Sequence, residues 1–227
     1  MAIQLFGDNN TINLNTSSAI TGGMQLATDQ TNNVLNLLGG SQAVGVFSND
    51  VNSNSINFLN INAVGKEWDI TGTLPVSNAI TLSNGNVVVT GSLSNTGTGS
   101  TTLDAGTSLQ IGNGGTTGVV NDNIINNSVL IFNRSDETTF TDNISGTGIV
   151  MQAGTGMTNL AGSGTWSGGT QVTAGTLNGV SASDALGSGP VSVTSGAILQ
   201  LGDTSTFTDY NFSGNALTLD ASTLRRC

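Results

Sequence analysis

Ile56-Asn57-Phe58-Leu59-Asn60-Ile61 sets apolar side chains at a spacing of two, and Ile80-Thr81-Leu82 begins the same pattern again. A period of two puts alternate side chains on opposite faces of a strand. Ile12-Asn13-Leu14, Leu109-Gln110-Ile111, Val191-Ser192-Val193, Leu199-Gln200-Leu201 and Leu217-Thr218-Leu219 repeat it. Strand starts recur near Ile12, Val34, Ile56, Ile80, Thr102, Val129, Val150, Val172, Val191 and Leu217, at a nearly regular interval. That interval is too short for a propeller blade and suits one coil of a solenoid. The pattern predicts an all-β, right-handed parallel β-helix of about ten rungs, with Val, Ile and Leu stacked inside and ladders of Thr, Asn and Ser outside. At about 4.8 Å per rung its length would be on the order of 50 Å. The wider gaps before Val129 and Leu217 read as loops bulging from single rungs.

Composition supports strands and turns over helices. Gly (32), Thr (32), Asn (28) and Ser (25) make up 117 of 227 residues, and all four disfavour helix interiors. An antiparallel sandwich also uses short strands and Gly-rich turns, but it needs tight hairpin signals. Asn84-Gly85 and Asn178-Gly179 stand out as such, and most other turns are longer.

Charge removes several function classes. The chain carries 14 carboxylates against Lys66, Arg134, Arg225 and Arg226, for a net charge of −10. Nucleic acids and anionic membrane surfaces require clustered cations, so neither is an expected partner. The absence of His removes His-based triads, metal sites and switches near neutral pH. Cys227 is the single cysteine, so no intramolecular disulfide forms. No apolar run approaches the length of a membrane span.

Two acidic patches qualify as candidate sites, Lys66-Glu67-Trp68-Asp69 and Arg134-Ser135-Asp136-Glu137. Paired carboxylates can act as acid and base on a glycan, and Trp68 could stack on a sugar ring. Both patches read more simply as solvated turns between strands that contain their own neutralising cation. Asp50, Asp104, Asp122, Asp142, Asp203 and Asp220 are expected mostly at turns, capping the backbone locally. Nothing matches a calcium loop, so no metal and no cofactor is expected. Six Asn-x-Ser/Thr sequons, the first at Asn9 and Asn15, are about what this composition produces by chance.

From Ile125 onward the motifs are denser. Asn126-Asn127-Ser128-Val129-Leu130-Ile131-Phe132-Asn133 is followed by Ile144-Ser145-Gly146-Thr147-Gly148, Ala153-Gly154-Thr155-Gly156 and Thr165-Trp166-Ser167-Gly168-Gly169-Thr170. Ala174-Gly175-Thr176-Leu177, Ala185-Leu186-Gly187-Ser188-Gly189-Pro190-Val191 and Gly196-Ala197-Ile198-Leu199 complete the series. This stretch, 125–201, resembles the passenger-associated (autotransporter-associated β-strand) repeat of bacterial autotransporters. Trp166 stands where that family commonly has Tyr, and Met151-Gln152 stands where a Lys-containing strand is usual.

The resemblance implies a surface-exposed or secreted passenger fragment of a type V secretion protein, with 1–124 protein-specific and 125–227 carrying the repeat. It further implies adhesion, self-association or display rather than catalysis, and a repeat that assists folding during translocation. The partners would be a host or bacterial surface receptor, or a second copy, together with a translocator barrel outside this stretch of chain. A β-helical polysaccharide lyase or hydrolase using Glu67 and Asp69 is the alternative. Trp166 is expected to pack at a rung corner, and Gly168-Gly169 to form a positive-φ turn.

Overall fold

The computed structural model describes residues 3–18, 24–26, 31–48, 56–180, 184–202, 216–221 and 223–226. Every regular element among them is a strand, the strands pair in parallel, and they form a β-solenoid of about eight turns, close to the ten expected. The chain divides into two compact units, Met1–Gln110 with Gly118–Asp122 and Ile111–Thr117 with Asn123–Cys227.

In the first unit, Thr11–Asn15 pairs with Val34–Leu38, which pairs with Phe58–Ile70, which pairs with Ala79–Val89. A second column runs Thr73–Val76, Ser92–Asn95, Val119–Asn121. Alternation does what the sequence requires of it. Leu35, Leu59 and Ile80 stack inside, as do Leu37, Ile61, Leu82 and Leu103, all essentially without solvent exposure. Each such side chain contributes about 1.5–3 kcal/mol by burial. Outside, Asn13, Asn36 and Asn60 form the expected ladder, their amides joined at 2.6 and 2.9 Å. Asn10, Asn33, Asn57 and Ser77 form another at the rung edge, through backbone and side-chain bonds.

Asn84-Gly85, the strongest hairpin signal, makes no hairpin. It lies within the strand Ala79–Val89, with φ of 55° at Asn84, and turns a corner while pairing stays parallel. Asn178-Gly179 makes no hairpin either: it ends the strand Thr176–Gly179, where the buried Asn178 amide donates to Asn159 Oδ1 at 2.9 Å.

The second unit begins with three strands per rung and continues with two, its first column ending at the isolated bridge between Ile144 and Gly164. Ile124 pairs with Ile144, Val129 with Ile149, and Glu137 with Met157. The second column continues through Thr170–Val172, Val191–Val193 and Leu217–Leu219, and the third through Thr176–Gly179, Ile198–Leu201 and Thr223–Arg226. Phe132 and Phe140 meet edge to face inside the first of these rungs, with centroids 5.6 Å apart. The wide gap before Val129 holds the exposed stretch 113–117, and the one before Leu217 falls at 203–215, outside the described residues.

Candidate functional site

The structure corrects the reading of Lys66-Glu67-Trp68-Asp69 as a turn: all four lie within the long strand Phe58–Ile70. Trp68 faces inward and is 1% exposed, and its Nε1 donates to the Leu38 carbonyl at 3.1 Å. Its indole occupies the space beside Gly45, where a Cβ would come within 2.8 Å of the ring. Trp68 therefore cannot stack on a sugar. A strand that reads charged-aromatic-charged looks like a surface turn because the inward partner, Gly45, is distant in sequence.

Glu67 and Asp69 face outward on the same strand, in register with Val44 and Asn86 and with Val46 and Val88 respectively. Burial in this frame raises both carboxyl groups above their ordinary range, and at Glu67 the neighbouring Asp69 charge raises it further. For Asp69, contact with Glu67 acts in the opposite direction but is outweighed. Asp69 Oδ1 is out of solvent with no hydrogen-bond partner. The expected neutralising cation is missing from the pair: Lys66 makes no ion pair among the described residues.

These raised values make stability depend on pH. The folded chain holds protons here that the unfolded chain has already released, so this contribution falls as pH rises from the ordinary carboxylate range through the raised values. The doubly neutral variant Glu67→Gln, Asp69→Asn should match the wild type near pH 4 and be more stable at pH 7, by about 0.5 kcal/mol or less because both side chains keep partial contact with solvent, which screens them. Urea midpoints across that range measure the gap. A gap that narrows towards pH 7 would show that the carboxylates are stabilised instead.

The second patch is a turn, as expected. Arg134 Nε and Nη2 donate to the two Asp136 carboxylate oxygens at 2.9 and 2.7 Å, holding that carboxyl below its usual range. Arg134 also reaches the Thr116 carbonyl at 2.6 Å and so ties down the exposed loop. Glu137 begins the next strand and accepts from Asn159 Nδ2 at 2.9 Å.

Asp104, Asp122, Asp142 and Asp220 lie outside the strands, and Asp122 also reaches across to another rung. It is buried and accepts from the buried Thr101 hydroxyl of the preceding rung at 2.7 Å. Asp50 and Asp203 lie outside the described residues. Among the described residues no three His, Cys, Asp or Glu side chains gather to hold a metal ion, and no helix is long and apolar enough to cross a membrane.

The repeat positions are set by backbone geometry. Gly148, Gly154, Gly156, Gly168 and Gly189 lie where a Cβ would run into backbone of the preceding rung. Gly146, Gly169, Gly175, Gly187 and Gly196 have φ between 56° and 111°, so the positive-φ turn expected at Gly168-Gly169 falls on the second glycine. Leu177 is buried in the column between Thr158 and Leu199. Trp166 is buried and sits against Gly164 and Gly187.

No family model, curated protein or solved structure matches this chain.

Gln152, in the strand Ile149–Gln152, points into the core. Its Nε2 donates to the Gly154 carbonyl at 2.8 Å and the Gly156 carbonyl at 3.3 Å, bracing the corner from inside.

Sequence reasoning missed an open cleft of about 310 Å³ in the first unit, lined by Gly39, Gly40, Val64 and Lys66. The available signal was a length difference: the strand Phe58–Ile70 is 13 residues long and its neighbour Ala79–Val89 only 11.

Proposed function

We propose that this chain is a surface-exposed or secreted autotransporter passenger acting in adhesion, self-association or display, with no catalysis of its own. In this reading the stretch 125–201 assists folding outside the cell. The observation that carries it is the parallel register of the second unit. Each rung presents the open edges of its strands in the right register for the next, so a rung that has folded lowers the cost of folding its successor. A chain leaving a pore could thereby be drawn outward without a nucleotide. The uncharged stretch from 143 to 183 suits such passage, because no ion has to be desolvated on the way. The exposed Asn ladder of the first unit is a neutral face better fitted to contact with another surface than to turnover of a small molecule.

The glycan-processing alternative loses its aromatic platform with the burial of Trp68.

The test is export of the chain behind a signal peptide and ahead of a translocator barrel. Deleting 146–177 should cut surface delivery severalfold while leaving cell binding per delivered molecule little changed. Intact delivery with lost binding would make the repeat a recognition surface and overturn the assignment. Turnover of any polysaccharide in a broad panel, lost in Glu67→Gln, would overturn the non-catalytic reading.

A further inference from the structure

We propose that the cleft lined by Gly39, Gly40, Val64 and Lys66 is a binding site for a sugar monocarboxylate of the hexuronic acid type, with the Lys66 ammonium on the carboxylate and Val64 against the apolar face of the ring. This site stands apart from the adhesion reading and does not depend on it.

Three independent features meet there. The first is a bulge: between the paired positions Asn62–Ser83 and Lys66–Gly85, the stretch 63–65 faces Asn84 alone, so this rung is locally longer than the next. Bulges re-aim side chains, and they concentrate beside functional sites. The second is strain with exposure. Val64 holds φ at 48°, a conformation that β-branched residues avoid, and is nevertheless 68% exposed. The core gains nothing from it. The third is charge. Lys66 is the sole Lys or Arg in the first unit, lines the cleft, and makes no ion pair among the described residues.

The surroundings hold the cleft open. The Gly39 N–H donates to the Asn62 carbonyl at 2.9 Å, and Trp68 Nε1 fixes the Leu38 carbonyl just before it. A Cβ on Gly39 would lie 2.5 Å from the Ala63 carbonyl oxygen, and one on Gly40 would lie 2.9 Å from Thr16 Oγ1, so the lining at these positions is backbone.

The local charge narrows the ligand. The unit's single Lys or Arg suits the single charge of a carboxylate better than the double charge of a phosphate dianion. Val64 beside the cation favours an anion with an apolar face, which a pyranose ring supplies and acetate does not. The volume is at the lower end of small-molecule sites, enough for one sugar residue.

The test is a titration of the isotopically labelled chain with D-glucuronic acid, followed by amide chemical shifts, with D-glucose and acetate as parallel probes. Saturable shifts at positions 39, 40 and 64–66 with a millimolar Kd are expected for glucuronic acid, at least tenfold weaker for either control. Lys66→Met should remove the preference over glucose while leaving the remaining spectrum unchanged, and Lys66→Arg should keep it. Val64→Gly should raise the melting temperature by relieving strain yet weaken glucuronic acid binding severalfold. Absence of saturation, equal response to glucose, or undiminished binding by Lys66→Met would each overturn the proposal.

Discussion

Trp166→Ala should destabilise the second unit by about 3–5 kcal/mol, the largest loss from any single side chain there. The indole is 1% exposed and lies against Gly164 and Gly187, where a Cβ on Gly187 would come within 2.7 Å of the ring. Those glycines leave room for the ring and cannot fill the space it would vacate, so the cavity stays. Polar partners are lost as well. Trp166 Nε1 donates to the Gly169 carbonyl at 3.2 Å and to Thr170 Oγ1 at 3.1 Å, and that hydroxyl donates onward to the Leu186 carbonyl at 2.8 Å. The indole thus ties the rung together through one buried chain of bonds, whose members are costly to leave unmet. Set against a total stability for such a unit of about 5–15 kcal/mol, this loss is a large fraction of what holds it folded. Urea denaturation followed by circular dichroism measures it. A loss below about 1 kcal/mol would mean that the corner repacks, and Trp166 would then be free for another role.

Much of this architecture is legible from side-chain order alone. Period-two apolar spacing and a regular recurrence of strand starts specify strands and rungs, and Leu35, Leu59 and Ile80 stack as that recurrence requires. The polar ladders are legible for the same reason, since whatever repeats along the chain at the rung length is stacked in space. Features decided by the neighbouring rung are hidden. Trp68 reads as a surface aromatic between two acids until Gly45, on the preceding rung, is seen to leave room for it. Nothing in the local sequence of Asp122 points to the Thr101 hydroxyl buried against it from another rung. The cleft depends on a slightly longer strand in one rung than in the next, a difference that is invisible when rungs already vary in length. In a solenoid the nearest neighbours of a side chain lie a full coil away. Local turn chemistry therefore misleads, and Asn84-Gly85 turns a corner instead of a hairpin.

The glycines of the second unit should separate into two classes on substitution by alanine. Gly156→Ala is expected to cost about 3 kcal/mol or more, and Gly196→Ala about 1–2 kcal/mol. At Gly196 the cause is backbone conformation alone: φ is 84° and nothing lies within 4 Å of an added Cβ. An alanine there suffers the left-handed penalty and no collision. At Gly156 the backbone is ordinary and the obstruction is the previous rung, because a Cβ would run into the Asp136 carbonyl oxygen and come within 2.7 Å of the Asp136 nitrogen. That obstruction cannot move freely. Gly156 N–H donates to the Arg134 carbonyl at 2.9 Å and its own carbonyl accepts from the Thr176 N–H at 2.9 Å, so successive rungs are pinned through one residue. The Gln152 amide reaches the same carbonyl from inside. Pushing the rungs apart at this corner would stretch both bonds and open the core beneath, which is why the clash should exceed the dihedral cost. Thermal unfolding of the two variants side by side decides it. A Gly156→Ala loss equal to or smaller than that of Gly196→Ala would show that the corners yield, and that stacking is held by the strands alone.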